Sequence, residues 1–207
     1  MDINISISDL INELVSIRNG GGKILSQALG FYRILITAKN GTSPGFMLHA
    51  WLDKEQPRQS KNRTRDIHSH TFDMKSKVLV GELKNELYNL VEDLKGDYQI
   101  AYIRQEGPIA TRVVTDTKVR MVLDYDEIVS AGEIYCFSSR RFHCTVINEY
   151  PTITLMQKEN MITDNAVNIL PYPHTDSELG IWTQPKLNQD ALWEQILFVL
   201  KNEIVLT

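Results

Sequence analysis

The chain has 207 residues, 43% hydrophobic and 23% charged. That is the size and composition of one globular domain, and it excludes a disordered or fibrous chain. Lys and Arg number 22 against 26 Asp and Glu, and the formal charge of −4 excludes nucleic-acid binding by general electrostatics. No apolar run approaches a membrane span; Ile196–Leu200 is far too short. The opening Met1-Asp2-Ile3-Asn4 lacks the basic region of a secretory signal, so a cytoplasmic protein is expected. Cys136 and Cys144 are then expected as buried thiols in a reducing compartment.

Residues 1–30 read as helical. Leu10, Ile11, Leu14, Val15 and Arg18 follow the helical period, and Ser6-x-x-Asp9 resembles a capping box. Asn19-Gly20-Gly21-Gly22 ends that helix, because glycine accepts the left-handed conformation past a C-cap. A second short helix is expected over Lys23–Gly30; the glycines before Lys23 lack the rest of a P-loop.

From residue 31 to 159 the pattern is β. Strand propensity is high over Phe31–Ala38, Gly45–Leu52, Met74–Leu83, Tyr98–Arg104, Ala110–Val114, Lys118–Leu123, Glu133–Phe137, Phe142–Asn148 and Thr152–Gln157. Turn-rich pieces such as Asn40–Gly45 and Lys95-Gly96-Asp97 separate them. Strands at this spacing predict a β-sandwich or barrel. Glu82–Leu94 reads as either strand or helix, with Leu87, Leu90, Val91 and Leu94 favouring some helix. Residues 160–207 form an extension ending in a helix, where Leu192, Ile196, Leu200 and Ile204 fall four apart beside Trp193 and Leu197. Such an amphipathic helix packs on the barrel or is offered to a partner.

Five histidines are present: His49, His68, His70, His143 and His174. Side chains two apart on a strand share a face, so His68 and His70 can reach one cation. If that strand runs on, Met74, Ser76, Val78 and Val80 share the histidine face and Lys75 and Lys77 the other. In Arg141–Ile147, His143 shares a face with Thr145 and Ile147, and Cys144 points away. His143 is then either a third ligand or a core histidine bonded to backbone. Regular pleating puts Asp73 opposite His70, outside the ligand set. His174 reads as loop, and no Ser-His-Asp or Cys-His hydrolase signature is present.

The spacing His68-x-His70-x3-Met74-x6-Gly81, followed by Gly132-x10-His143, resembles the two blocks of the cupin superfamily. The resemblance covers about Phe31 to Gln157 and implies a double-stranded β-helix (jelly-roll) barrel, flanked here by N-terminal helices and a C-terminal helix. Met74 stands where that pattern holds a glutamate ligand, and Ser138 and Arg140 replace its proline and glycine. Three histidines without glutamate are similar to the thiol dioxygenases, with cysteine dioxygenase as the type. His68-Ser69-His70-Thr71 and Lys77–Lys84 resemble that family's metal strand, and Phe46–Trp51 resembles the strand before it, including its tryptophan. Phe31-Tyr32-Arg33 resembles a segment whose arginine binds a substrate carboxylate. Thr152–Gln157 lacks the tyrosine and histidine that the family carries after the third ligand, and the family's crosslinking cysteine near the metal strand is missing.

The resemblance implies one Fe(II) on His68, His70 and His143, an O₂-dependent reaction, and a small substrate such as a thiol or amino-acid derivative. Neutral imidazoles leave the ion's charge and several positions for substrate and O₂. Parity puts Arg33 on one face with Phe31 and Leu35, as a carboxylate clamp or a surface residue. His49, on a face with Met47 and Trp51, lines the pocket or sits in the core. Arg33, His49, Trp51 and Met74 form the expected substrate-binding set. Two other classes compete: isomerase or lyase chemistry on Mn, Ni or Zn without O₂, and a barrel that binds a small ligand without reacting. Asp53–Arg65, polar and basic, is either a solvated loop or a lid steering an anion inward.

Overall fold

The computed structural model describes residues 1–36, 45–56, 67–106, 109–162, 166–171 and 185–206. His174, most of the Asp53–Arg65 segment and the turn at residues 40–44 lie outside them.

Helix α1 (Ile7–Asn19) starts as its capping pattern predicts. Ser6 Oγ accepts the Asp9 N–H at 3.1 Å and donates to Asp9 Oδ2 at 2.6 Å. Leu10, Ile11 and Leu14 form its buried stripe. The expected second helix is instead a strand, β1 (Ile24–Gln27). Ile24 and Ser26 are buried while Leu25 and Gln27 are only partly so, a two-residue alternation that suits pairing with β2 (Phe31–Ile36). Residues 28–30 close this hairpin, with Gly30 at φ +81°.

The chain continues as β3 (Phe46–Trp51), β4 (Asp73–Val80), β5 (Glu82–Glu92), β6 (Tyr98–Glu106), β7 (Ile109–Ser130), β8 (Ile134–Phe137), β9 (Phe142–Ile147), β10 (Thr152–Glu159) and β11 (Ala166–Pro171), ending in α2 (Gln189–Leu206). Two of the expected strands fuse into the long β7, and β11 was not foreseen by propensity. β5 is strand throughout, without the helical part its leucines suggest. Its residues pack on both faces: Leu83 and Leu87 join one cluster, Tyr88 and Leu90 another. Apolar side chains on both sides of a strand mimic the spacing of a helix.

Two antiparallel sheets result, ordered β1-β2-β3-β10-β4-β8 and β11-β6-β7-β5-β9. The protein is mostly β, a jelly-roll barrel with one helix before it and one after. One face of the six-stranded sheet packs Ile34, Leu48, Ile153 and Leu155 against Leu10 and Leu14 of α1 and Trp193, Ile196 and Leu200 of α2. The C-terminal helix is thus built into the core. Arg18 of α1 meets Glu194 of α2 at 2.5 Å. The side-chain amide of Gln189 accepts the Ile24 N–H at 2.9 Å and donates to the Ile24 carbonyl at 3.0 Å. The opposite face carries Met47, Trp51, Met74, Val78 and Met156 towards Leu83, Val129 and Ile147 of the second sheet.

Two details correct expectations. Between β4 and β10 the register slips, with Ile153 opposite Val80 and Thr154 opposite Val78. The extra residue turns Val80 to the helix side, away from the interior face it was expected to share. Cys136 is exposed and Cys144 buried, and neither is in a disulfide. β8 alternates Tyr135 and Phe137 inward, which leaves Cys136 outside. No helix among the described residues is long and apolar enough to cross a membrane.

Gly81 is where the chain leaves the first sheet for the second. Its φ is +74°, and a Cβ there would lie 2.5 Å from the Pro151 carbonyl oxygen and from Thr152 Oγ1. Gly81→Ala is therefore expected to lower unfolding stability by about 1–3 kcal/mol or more. Urea denaturation of the two proteins checks this.

Candidate metal centre

Backbone pairing brings His68 to His143. The His68 N–H donates to the His143 carbonyl at 3.1 Å, and the His143 N–H returns a bond to the His68 carbonyl at 2.9 Å. On the other side, the Ser69 N–H donates to Val167 at 2.8 Å and the Ile169 N–H to Ile67 at 3.1 Å. Residues 67–69 are therefore wedged between β9 and β11. The Arg140 N–H donates to the His70 carbonyl at 2.9 Å and fixes the next residue. β4 begins only at Asp73, so His68 and His70 do not belong to one long strand running through Met74 as the spacing suggested.

The three rings still converge. Ring centroids lie 4.7 Å apart for His68 and His70, 4.5 Å for His68 and His143, and 5.0 Å for His70 and His143. One nitrogen from each lies within 4.8 Å of the others. His70 Nε2 and His143 Nε2 are 3.0 Å apart, a separation open to two nitrogens bonded to one ion at about 2.1 Å. His143 Nδ1 is buried without a partner among the described residues, so that ring's polar contacts run through Nε2. Among the described residues no carboxylate belongs to the group. Asp73 instead accepts the Ser139 N–H at 2.7 Å and the Asn160 side-chain amide at 2.8 Å, pinning two loops.

The donor set suits a transition metal. Burial, then the neighbouring imidazoles, holds His70 and His143 well below the usual histidine range, so both are neutral near pH 7. Neutral imidazole is the ligating form, and nitrogen donors suit Fe, Ni, Cu or Zn rather than Mg or Ca.

A cavity of about 60 Å³ opens beside the cluster. His49, Trp51 and Met74 line it, as do Leu29, Phe31, Tyr135 and Thr145. Phe31 packs on His49 at 4.6 Å and on Trp51 at 5.2 Å, which makes one wall aromatic. Arg33 pairs across the sheet with His49 and shares its face, yet it is not among the lining residues. Along that strand Phe31 lines the cavity and Leu35 is 53% exposed, so Arg33 stands at the rim. Burial lowers its guanidinium pKa from the ordinary value. Tyr135 and Thr145 were not named as pocket residues by the sequence reading. The alternation of Tyr135 and Phe137 in β8 is the signal that marks Tyr135 as inward. Burial pushes the Tyr135 hydroxyl up to about 12, so it stays protonated.

No protein-family model and no curated protein matches the chain. Among solved structures it is similar to Fe(II) HppE, at 12% identity and TM-score 0.39. It is also similar to the hydroxypropylphosphonic acid epoxidase from S. wedmorenis, at 10% identity and TM-score 0.39. Each alignment covers 67% of this chain and 56% of the other, so the chain spans little more than half of those proteins. Drosophila melanogaster CENP-C bound to CAL1 aligns at 12% identity over 79% of this chain and 97% of the other, with TM-score 0.24. At this level of likeness the chemistry of the site rests on the chain's own residues.

Two outcomes follow from the geometry. His143→Ala removes one of three ligands and is expected to weaken metal retention by more than about 100-fold, read by elemental analysis after dialysis. The second concerns His49, which burial and then Arg33 hold at about 3. Unfolded, this ring takes up a proton near its ordinary value of about 6.5. The unfolded state thus binds more protons between these values, and stability falls as pH drops from about 6.5 to about 3. Denaturation at pH 7 and pH 4 is expected to show a smaller loss for His49→Gln than for the native protein; His70 and His143 contribute the remaining slope.

Proposed function

We propose that the protein is a non-haem Fe(II), O₂-dependent oxygenase of a small molecule, with the metal on His68, His70 and His143 of a cupin-like barrel. The observation that carries this reading is the convergence of three imidazoles, with no carboxylate from the described residues, beside a largely apolar cavity. Bound there, iron supplies Lewis acidity and redox chemistry at positions the protein leaves open.

The chain's own residues supply the rest. Phe31, Trp51 and Met74 exclude water from the space beside the histidines. Met74 stands where the cupin pattern holds an acidic ligand, so a metal held by His68, His70 and His143 would have its charge left for an anionic substrate atom. A thiolate answers that charge, which favours a thiol or amino-acid derivative as substrate. His49, kept neutral, offers a ring nitrogen to a substrate N–H or O–H. Tyr135, kept protonated, can donate a hydrogen bond into the same space. These two side chains stand in for the missing tyrosine and histidine of β10. Arg33 at the rim holds the substrate's anionic end.

Elemental analysis followed by oxygen uptake with a panel of thiols tests the proposal. The expected outcome is bound iron and uptake that depends on one class of thiol. Bound metal without oxygen consumption would assign the barrel to isomerase or lyase chemistry. A protein that holds no metal even after reconstitution would leave a binding module.

A further inference from the structure

The turn that leads into His143 is built against its own preference. Residues 138–141 join β8 to β9, and the Arg141 N–H closes the turn on the Ser138 carbonyl at 3.2 Å. Arg140, the third residue of the turn, has φ +64°. That is the left-handed region, which glycine adopts freely and a residue with a Cβ does not. The cupin pattern has a glycine at this position, and this chain has an arginine. A left-handed non-glycine residue persists where its surroundings hold it, and such residues gather at functional sites.

Asp73 supplies the hold. Its Oδ1 accepts the Ser139 N–H at 2.7 Å, and its Oδ2 accepts the Asn160 side-chain amide at 2.8 Å. Asn160, at φ +43°, is the other left-handed non-glycine residue among the described residues. With both oxygens engaged, the carboxylate has one orientation. The Ser139 N–H, then the Asn160 amide, keeps its carboxyl below the usual carboxylate range, so both bonds are charge-assisted near pH 7.

The next N–H along the turn, that of Arg140, donates to the His70 carbonyl at 2.9 Å. The two central N–H groups of the turn therefore both grip residues 70–73, one through the Asp73 side chain and one through the His70 backbone. Just past the turn stands His143, whose Nε2 lies 3.0 Å from that of His70. Two of the three converging histidines thus depend on one turn, and a carboxylate outside their group fixes it.

We propose that Asp73 is a positioning residue of the metal centre. It holds the 138–141 turn in a conformation that glycine would adopt unaided, and so sets His70 and His143 at the separation that one ion needs. That a metal occupies these histidines rests on the proposed function; the hold on His70 does not.

Two measurements on the full-length, chelator-treated protein test this. Amide hydrogen exchange reads the hold without any metal. In Asp73→Ala the Arg140 N–H is expected to exchange about tenfold faster or more, while the His68 and His143 N–H groups, bonded to each other's carbonyls, keep their native rates. Titration with Co(II), followed by its visible absorption, reads the ligands. Asp73→Ala is expected to bind cobalt about tenfold or more weakly and with a changed spectrum. Asp73→Asn keeps an acceptor for the Ser139 N–H and is expected to bring back the slow Arg140 exchange and the native spectrum. An unchanged Arg140 rate in Asp73→Ala, or native cobalt affinity and spectrum there, would overturn the proposal. So would an Asp73→Asn protein no closer to the native one than Asp73→Ala. A native protein that takes up no cobalt, with Arg140 exchange still quickened in Asp73→Ala, would sink the metal reading and leave the hold on His70 standing.

Discussion

The candidate centre depends on a pair of backbone hydrogen bonds. His68 and His143 exchange N–H and carbonyl at 3.1 and 2.9 Å, and residues 67–69 fill the gap between β9 and β11. Since β11 already borders β6, this three-residue insert closes the five-stranded sheet on itself. The ligands therefore come from the seam of the fold and not from the middle of a strand. His68 and His143 are held by the bridge, and His70 by the Arg140 N–H just past it. A seam is a sensible place for such a site. Its short, irregular backbone can turn two alternate side chains inward where a longer ladder would have fixed their direction by pleat alone.

The charge pattern of the interior follows from that closure. Three imidazoles face a largely apolar cavity lined by Phe31, Trp51 and Met74, and Arg33, its pKa lowered by burial, stands at the rim. Such an interior is disfavoured without a ligand and relieved by one. Binding linkage then makes the ligand a stabiliser as well as a reactant. Desolvated groups with no internal partner are the usual way that a protein trades stability for affinity.

The sequence made the ligands legible for partly the wrong reason. His68, His70 and His143 stood out by spacing, and they do converge, yet the pleated strand assumed for the first two is a bridge and a bend. Asp73 lies apart from the histidines, but through two specific hydrogen bonds in a loop corner as much as through parity. The barrel and both end helices were readable from period and capping. β1 was not, because four residues after a glycine run carry too little pattern, and β5 was blurred because both of its faces are covered. Val80 was misplaced by a bulge. Tyr135 was missed for a different reason. Which residues of separate strands stand together is fixed by register, and register is a long-range property that propensity does not encode.

The glutamine at the start of α2 has a consequence for how copies of this protein meet. β1 is the outermost strand of its sheet, and its outward N–H and carbonyl at Ile24 are both occupied by the Gln189 amide, while Gln27 donates its own amide to the Ser26 carbonyl at 3.2 Å. A bare border of this kind would template another chain. Here side-chain amides imitate the absent neighbour, so the sheet terminates itself, and recruitment of a foreign strand along this margin would first have to displace them.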